Sequence, residues 1–193
     1  MRSVCVFCGS NMGTRPEYRA VAEATGELLA RDGVRLVFGG GAVGLMGVVA
    51  AAAMRAGGEV VGVIPAALDR REIANRAITE LHVVDTMHER KALMAQLSDG
   101  FVALPGGLGT FEELLEVLTW AQLGIHAKPI GMLNVAGFYD PLLAFLASAV
   151  DAGFLRPQHL DLLVAETDPA RLLDRMREHR PPAVEKWLEL PES

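Results

Sequence analysis

The stretch from Leu36 to Pro65, LVFGGGAVGLMGVVAAAAMRAGGEVVGVIP, decides the fold. Leu36 to Phe38 is a short apolar run of strand type that meets the glycines Gly39 to Gly41. From about Leu45 to Ala56 the chain is Ala-rich and helical in character, and Gly57-Gly58 ends that helix. Val60 to Ile64 is again a strand, closed by Pro65. A strand, a glycine turn, a helix and a second strand in so short a span form a βαβ unit, whose strands run parallel.

The same rhythm extends in both directions. Upstream, Val4 to Phe7 reads as a strand and Arg15 to Asp32 as a helix with Pro16 in its first turn and Gly33 as its stop. Downstream, Ala66 to Glu80 mixes charges with Ala and Ile and reads as a crossover with some helix. Strands follow at Leu81 to Val84, Phe101 to Leu104, Ile130 to Leu133 and Leu162 to Val164. Helices alternate with them at Met87 to Ser98, Phe111 to Leu123, Tyr139 to Ala152 and Pro169 to His179. Uniformly apolar strands separated by helices predict an α/β fold: one Rossmann-like, doubly wound parallel sheet of about six or seven strands with helices on both faces. We expect a single domain over residues 1–180 and a Pro-rich tail, 181–193, that contains Trp187.

Composition excludes several classes of function. The 193 residues are 51% hydrophobic and 22% charged, which fits one sizeable core and argues against disorder. The net charge is −6 and the Lys and Arg residues are dispersed, so neither nucleic acid nor an anionic membrane is an expected partner. The apolar run at the amino terminus meets Gly9 before it can form a signal-peptide core. No apolar segment approaches the roughly 18 residues of a membrane helix, so a cytoplasmic location is expected. Cys5 and Cys8 are spaced C-x-x-C, but Gly9-Ser10 follows them where a redox motif starts a helix. They read as two small buried residues at a strand end. His82, His88, His126, His159 and His179 have no metal-ligand spacing, and no metal is expected.

In doubly wound folds the ligand lies outside the carboxyl ends of the strands, so chemistry is sought just after each strand. Gly39 to Gly44 matches G-x-G-x-x-G, but the following strand ends in Pro65 without the acidic residue that a dinucleotide ribose requires, and NAD is disfavoured. No Gly-Lys-Ser/Thr exists for a Walker loop. The second cluster, Pro105-Gly106-Gly107-Leu108-Gly109-Thr110, lies between a strand and a helix. Its glycines let backbone N–H groups converge, Thr110 can cap the helix or donate its hydroxyl, and the helix terminus presents about half a positive charge to a phosphate monoester.

Glu112 and Glu113 follow, both off the apolar stripe of Phe111, Leu114, Leu115, Leu118 and Ala121. Acids in a first turn are ordinary dipole complements. A carboxylate beside a bound phosphate also suits a ligand that develops positive charge, such as an anomeric carbon during glycosidic cleavage. Arg90 falls in line with Leu93, Met94 and Leu97, so it either points into the crevice or snorkels out to pair with Glu89 or another acid. Lys91 adjoins it. Trp120 and Met87 read as core or interface residues rather than stacking platforms. Ser10, Gly40, Gly41 and Met87 are further candidate contacts for phosphate or ribose.

Cys8-Gly9-Ser10, the Gly39 to Gly41 run with Gly44-Leu45-Met46-Gly47, Met87-His88-Glu89-Arg90-Lys91 and Pro105 through Glu113 together resemble the Lonely Guy (LOG) family. These are cytokinin riboside 5′-monophosphate phosphoribohydrolases, many of them once labelled lysine decarboxylases. The likeness runs from about Val4 to Leu155, with Phe111 where Leu is usual. It implies hydrolysis of the N-glycosidic bond of an N6-substituted adenosine monophosphate to free base and ribose 5-phosphate, a step that activates the cytokinin. By resemblance the catalytic pair is Arg90 and Glu113. Substrate contacts fall on Glu72, Lys91, Gly106, Gly107, Leu108, Gly109, Thr110, Phe111, Glu112, Glu113 and Thr119. The resemblance implies a homodimer and no cofactor. The competing readings are a broader nucleotide monophosphate nucleosidase, a non-catalytic nucleotide or molybdenum-cofactor carrier, and the decarboxylase of the older label, which calls for a pyridoxal phosphate Schiff base on a lysine.

Overall fold

Seven strands, all parallel, form one sheet in the computed structural model of the chain, which describes residues 1–69 and 74–180. They are β1 (Ser3–Phe7), β2 (Arg35–Phe38), β3 (Val60–Pro65), β4 (Glu80–Val84), β5 (Phe101–Ala103), β6 (Ile130–Leu133) and β7 (Leu163–Glu166). Their order across the sheet is β4-β3-β2-β1-β5-β6-β7. The chain winds outward from β1 to β4, then returns to the other side of β1 and winds outward again. Strand order therefore reverses between β1 and β5, and a crevice opens at the carboxyl ends of that pair.

The helices are α1 (Pro16–Arg31), α2 (Gly44–Arg55), α3 (Ala66–Asp69), α4 (Met87–Gln96), α5 (Leu108–Gln122), α6 (Asp140–Asp151), α7 (Pro157–Leu160) and α8 (Pro169–Glu178). Side-chain alternation along β1 assigns two layers. Val4 and Val6 pack with Ala22 and Leu29 of α1, Val49 of α2 and Leu172 of α8. Cys5 and Phe7 face the other way, toward Met94 of α4 and Leu114 and Val117 of α5. Burial on both faces is why the central strands are continuously apolar. Cys5 and Cys8 are buried free thiols, and burial, the largest influence on each, pushes both well above the ordinary cysteine range. Each is therefore a neutral packing residue at neutral pH.

The expected strands and long helices are present, their ends displaced by one to three residues. The expected crossover at 66–80 contains α3, and residues 70–73, with Glu72 among them, lie outside the described residues, as does the tail 181–193. Two short elements were not expected: α7, and a 3-10 turn at Val135–Gly137. Each is about one turn long, too short for a hydrophobic period to register. Among the described residues no helix is long and apolar enough to cross a membrane. Helix α6 is apolar yet contains no buried residue, and Phe145 on it is 67% exposed.

Candidate active site at the strand-order reversal

The crevice is bounded below by the loop after β1. Gly9 N–H donates to the Pro105 carbonyl (3.1 Å), and the Gly9 carbonyl accepts from Leu45 N–H (2.9 Å) and, more loosely, Met46 N–H (3.4 Å). The amino end of α2, where the first glycine motif leads, is thus occupied by the protein's own carbonyl rather than left for an anion. Gly40, a candidate contact, is buried and its carbonyl accepts from Asn75 N–H (2.7 Å), so it serves the local turn.

The amino end of α5 is different. Its N-cap is Gly107, and no side chain caps it. Thr110, a candidate either to cap the helix or to donate its hydroxyl, lies in the first turn and is buried. Its hydroxyl and Cβ lie over Gly106, where an added Cβ would fall 2.1 Å from Thr110 Oγ1 and 2.9 Å from Gly9 N. Gly106 therefore allows three segments to meet. At Gly107 and Gly109 an added Cβ would meet nothing within 4 Å, so these glycines keep open the space in front of the free N–H groups of the first turn. The cavity in front of this helix end has a volume of about 510 Å³ and is lined by Gly107 through Thr110, Ser10, Gly41, Arg90 and Glu113.

Arg90 and Glu113 face each other across this cavity. Arg90 Nη1 lies 3.3 Å from Glu113 Oε1, and each side chain is only 10% exposed. Arg90 thus points into the crevice rather than pairing with Glu89, whose carboxylate accepts from Asp85 N–H (2.9 Å). Its Nε donates to the Val63 carbonyl at the end of β3 (3.1 Å), and its Nη2 fills the space above Gly39, where a Cβ would fall 1.8 Å away. Glu113 corrects the expectation that both acids lie off the buried face. Thr110, Glu113, Leu114, Val117 and Ala121 form that face, while Leu115 is 38% exposed. The stripe is rotated because α5 packs over β1 as well as β5.

Burial raises the pKa of Glu113 to about 7; Arg90 and Lys91 pull it down, while Glu112 and Glu116 push it up. Near neutrality the group exchanges a proton readily, as a general acid or base must. Lys91 turns away from Glu113 and pairs with Glu112 Oε1 (2.5 Å) and Glu116 Oε1 (2.9 Å).

The other expected contacts are distributed around this centre. Gly106 lines a second hollow of about 260 Å³ next to the main one, with Tyr18 and Phe138. Phe111 stacks on Phe138 and meets Tyr139 edge to face, both centroid distances being 6.3 Å. Met87 is 44% exposed, its sulfur 4.0 Å from Arg90 Nη1. Thr119 stands apart: its hydroxyl donates to the Leu115 carbonyl (2.7 Å), and it lines an apolar hollow between α5, α6 and α7, not the Arg90–Glu113 cavity. Sequence reasoning missed the apolar wall made by Val43, Met46, Ile64 and Leu68. Val43 lies within the first glycine run and Ile64 near the carboxyl end of β3, where a ligand is sought, so both could have been found there; Leu68 lies in the stretch with no readable period.

The profile of the family described as "Possible lysine decarboxylase" matches residues 46–176. A curated relative from Oryza sativa subsp. japonica, named "Probable cytokinin riboside 5'-monophosphate phosphoribohydrolase LOGL9", is 53% identical over 93% of this chain and 79% of its own. "Cytokinin riboside 5'-monophosphate phosphoribohydrolase LOG7" of Arabidopsis thaliana is 49% identical over 93% and 83%. The chain belongs to the LOG family. Its fold is shared more widely: the molybdenum cofactor binding protein of Rippkaea orientalis superposes with a TM-score of 0.69 at 21% identity, covering 92% of this chain and 97% of that one. The molybdenum cofactor carrier protein of Chlamydomonas reinhardtii gives 0.68 at 22%, covering 91% and 96%.

The decarboxylation in the LOG family's older description is a poor fit to these residues. A Schiff-base lysine needs a neutral amine. Burial works against the Lys91 ammonium, but its hydrogen bonds to Glu112 and Glu116 outweigh burial and hold its pKa above the ordinary lysine value. Lys128 instead donates to the Ala95 carbonyl (2.7 Å).

Proposed function

We propose that this LOG-family chain hydrolyses the N-glycosidic bond of adenosine 5′-monophosphates, with an isoprenoid-substituted exocyclic amine preferred, to give free base and ribose 5-phosphate. The carrying observation is the buried Arg90–Glu113 pair beside an uncapped helix end. The names of the relatives at about half identity support the same reaction.

The amino end of α5 receives the 5′-phosphate through the N–H groups of the Leu108 to Thr110 turn. This sets the ribose toward Glu113, whose carboxylate stabilises the positive charge that develops at C1′ as the bond to the base breaks. The same carboxylate orients water, takes its proton as the oxygen adds to C1′, and passes that proton on to the departing base, which leaves neutral while Glu113 returns to its ionised form. Arg90 holds the phosphosugar and the base and keeps a share of Glu113 ionised at neutral pH.

The test is incubation of the purified protein with adenosine monophosphate and with its isopentenyl analogue, followed by chromatography. Free base and ribose 5-phosphate are expected, with the analogue preferred in kcat/KM. Binding without release would favour a carrier, and equal turnover of unrelated nucleotides a broader nucleosidase.

The working unit in this reading is a cytoplasmic homodimer that binds a small nucleotide, not nucleic acid. Supporting the dimer, α6 is an apolar helix with no buried residue, and Phe145 on it and Leu115 on the neighbouring α5 are exposed. Thr119 lies on that same side of α5, among residues a second subunit would cover. Sedimentation at micromolar concentration is expected to give the dimer mass; a monomer there would remove this part of the proposal.

A further inference from the structure

Arg90 and Lys91 are adjacent on α4, and both reach across to α5. Helix α4 rests on β3 and β4, whereas α5 rests on β5 and β1, so the two helices belong to opposite windings of the sheet and meet over the reversal. The catalytic distance of 3.3 Å between Arg90 and Glu113 therefore depends on two elements that no short loop holds together.

Lys91 supplies a second link. Its side chain is only 11% exposed, and its ammonium bridges Glu112 and Glu116, one turn apart on the same face of α5. The two acids are not equivalent. Glu112 is 53% exposed, so water and salt weaken its attraction, whereas Glu116 is 24% exposed and keeps more of it. Glu116 does not line the Arg90–Glu113 cavity.

We propose that Glu116 is a positioning residue: through Lys91 it braces α5 against α4 and so sets Glu113 opposite Arg90. This rests on the phosphoribohydrolase reading only in that the braced pair is the catalytic one. Among the described residues, the charged and titratable groups around Glu113 are Arg90 and Lys91 of α4, Glu112 and Glu116 of α5, the Cys5 thiol of β1 and the Cys8 thiol just after it. Among them Glu116 raises and Lys91 lowers the Glu113 pKa. Loss of the Glu116 charge should therefore move the Glu113 midpoint downward.

The experiment compares Glu116→Ala and Glu116→Gln in the full chain, by steady-state kinetics and by carbon-13 NMR titration of the Glu113 carboxyl. Displacement of a catalytic group by about 1 Å can cost up to about a hundredfold, so the Ala variant is expected to lose tenfold to a hundredfold in kcat with little change in KM. Gln still offers an oxygen to Lys91 and should recover most of that loss, while its Glu113 midpoint falls. An Ala variant with unaltered kcat, or with the same Glu113 midpoint as the Gln variant, overturns the proposal, because both variants lose the same charge and only the displacement of Glu113 from Arg90 separates them. If the Ala variant does not fold, Glu116→Ser takes its place in both comparisons. If the unaltered protein releases no base, the proposed reaction fails, and the midpoint difference between the two variants still decides the brace.

Discussion

Glu113→Gln is expected to lower kcat about 100 to 10,000-fold, equivalent to about 3 to 5 kcal/mol of transition-state stabilisation. The substitution keeps the shape of a side chain that is 10% exposed and removes its charge. Folding should survive, because burial has already brought this carboxyl to a pKa of about 7, where much of it is neutral in the native protein. A neutral amide is then a small change for the fold and a large one for a developing cation. The unaltered enzyme supplies an internal control. If the ionised carboxylate does the work, kcat/KM falls as pH drops through about 7 and levels off above it, and the Gln variant loses that limb. A folded Gln variant that keeps most of its turnover would falsify the assignment of Glu113.

Arg90→Met is expected to cost as much or more. The guanidinium is the strongest influence holding the Glu113 pKa down against burial. Without it the carboxyl climbs above 7 and is protonated at neutral pH, so one substitution removes both members of the pair. Met retains much of the arginine stem's volume, which limits the packing loss. We expect kcat/KM at pH 7 to fall by at least about a thousandfold, a loss of about 4 kcal/mol, with the acid limb of the pH profile displaced upward. Gly39→Ala tests the same geometry from the other side. Its Cβ would lie 1.8 Å from Arg90 Nη2, so the guanidinium must move off its position opposite Glu113. A smaller loss in the same direction should result. An Arg90→Met enzyme whose pH limb stays in place would separate Arg90 from the titration of Glu113 and sink the coupling between them.

The features that drew attention to this crevice in the sequence are local ones. The run from Pro105 to Thr110 marks a turn from strand to helix through its glycines, and the structure leaves that helix end uncapped. The helical phase of Arg90 aligns it with Leu93, Met94 and Leu97 and left two positions open, the crevice or a snorkelling pair; the structure puts it in the crevice. The first glycine motif was less informative. Its sequence fits a phosphate loop, yet the Gly9 carbonyl, brought in from another strand, occupies the helix end it leads to.

The alternation of apolar strands and amphipathic helices was sufficient to establish a doubly wound parallel sheet, since each element carries its own period and its own stop signals in neighbouring residues. The order of the strands, the inward turn of Glu113 beside an outward Glu112, the partners of Lys91 and the unburied apolar face of α6 depended on the assembled molecule. These features arise where two windings of the chain meet. Which acid is buried, and what it titrates against, is set by distances between segments remote in sequence, and no local pattern of residues encodes such a distance.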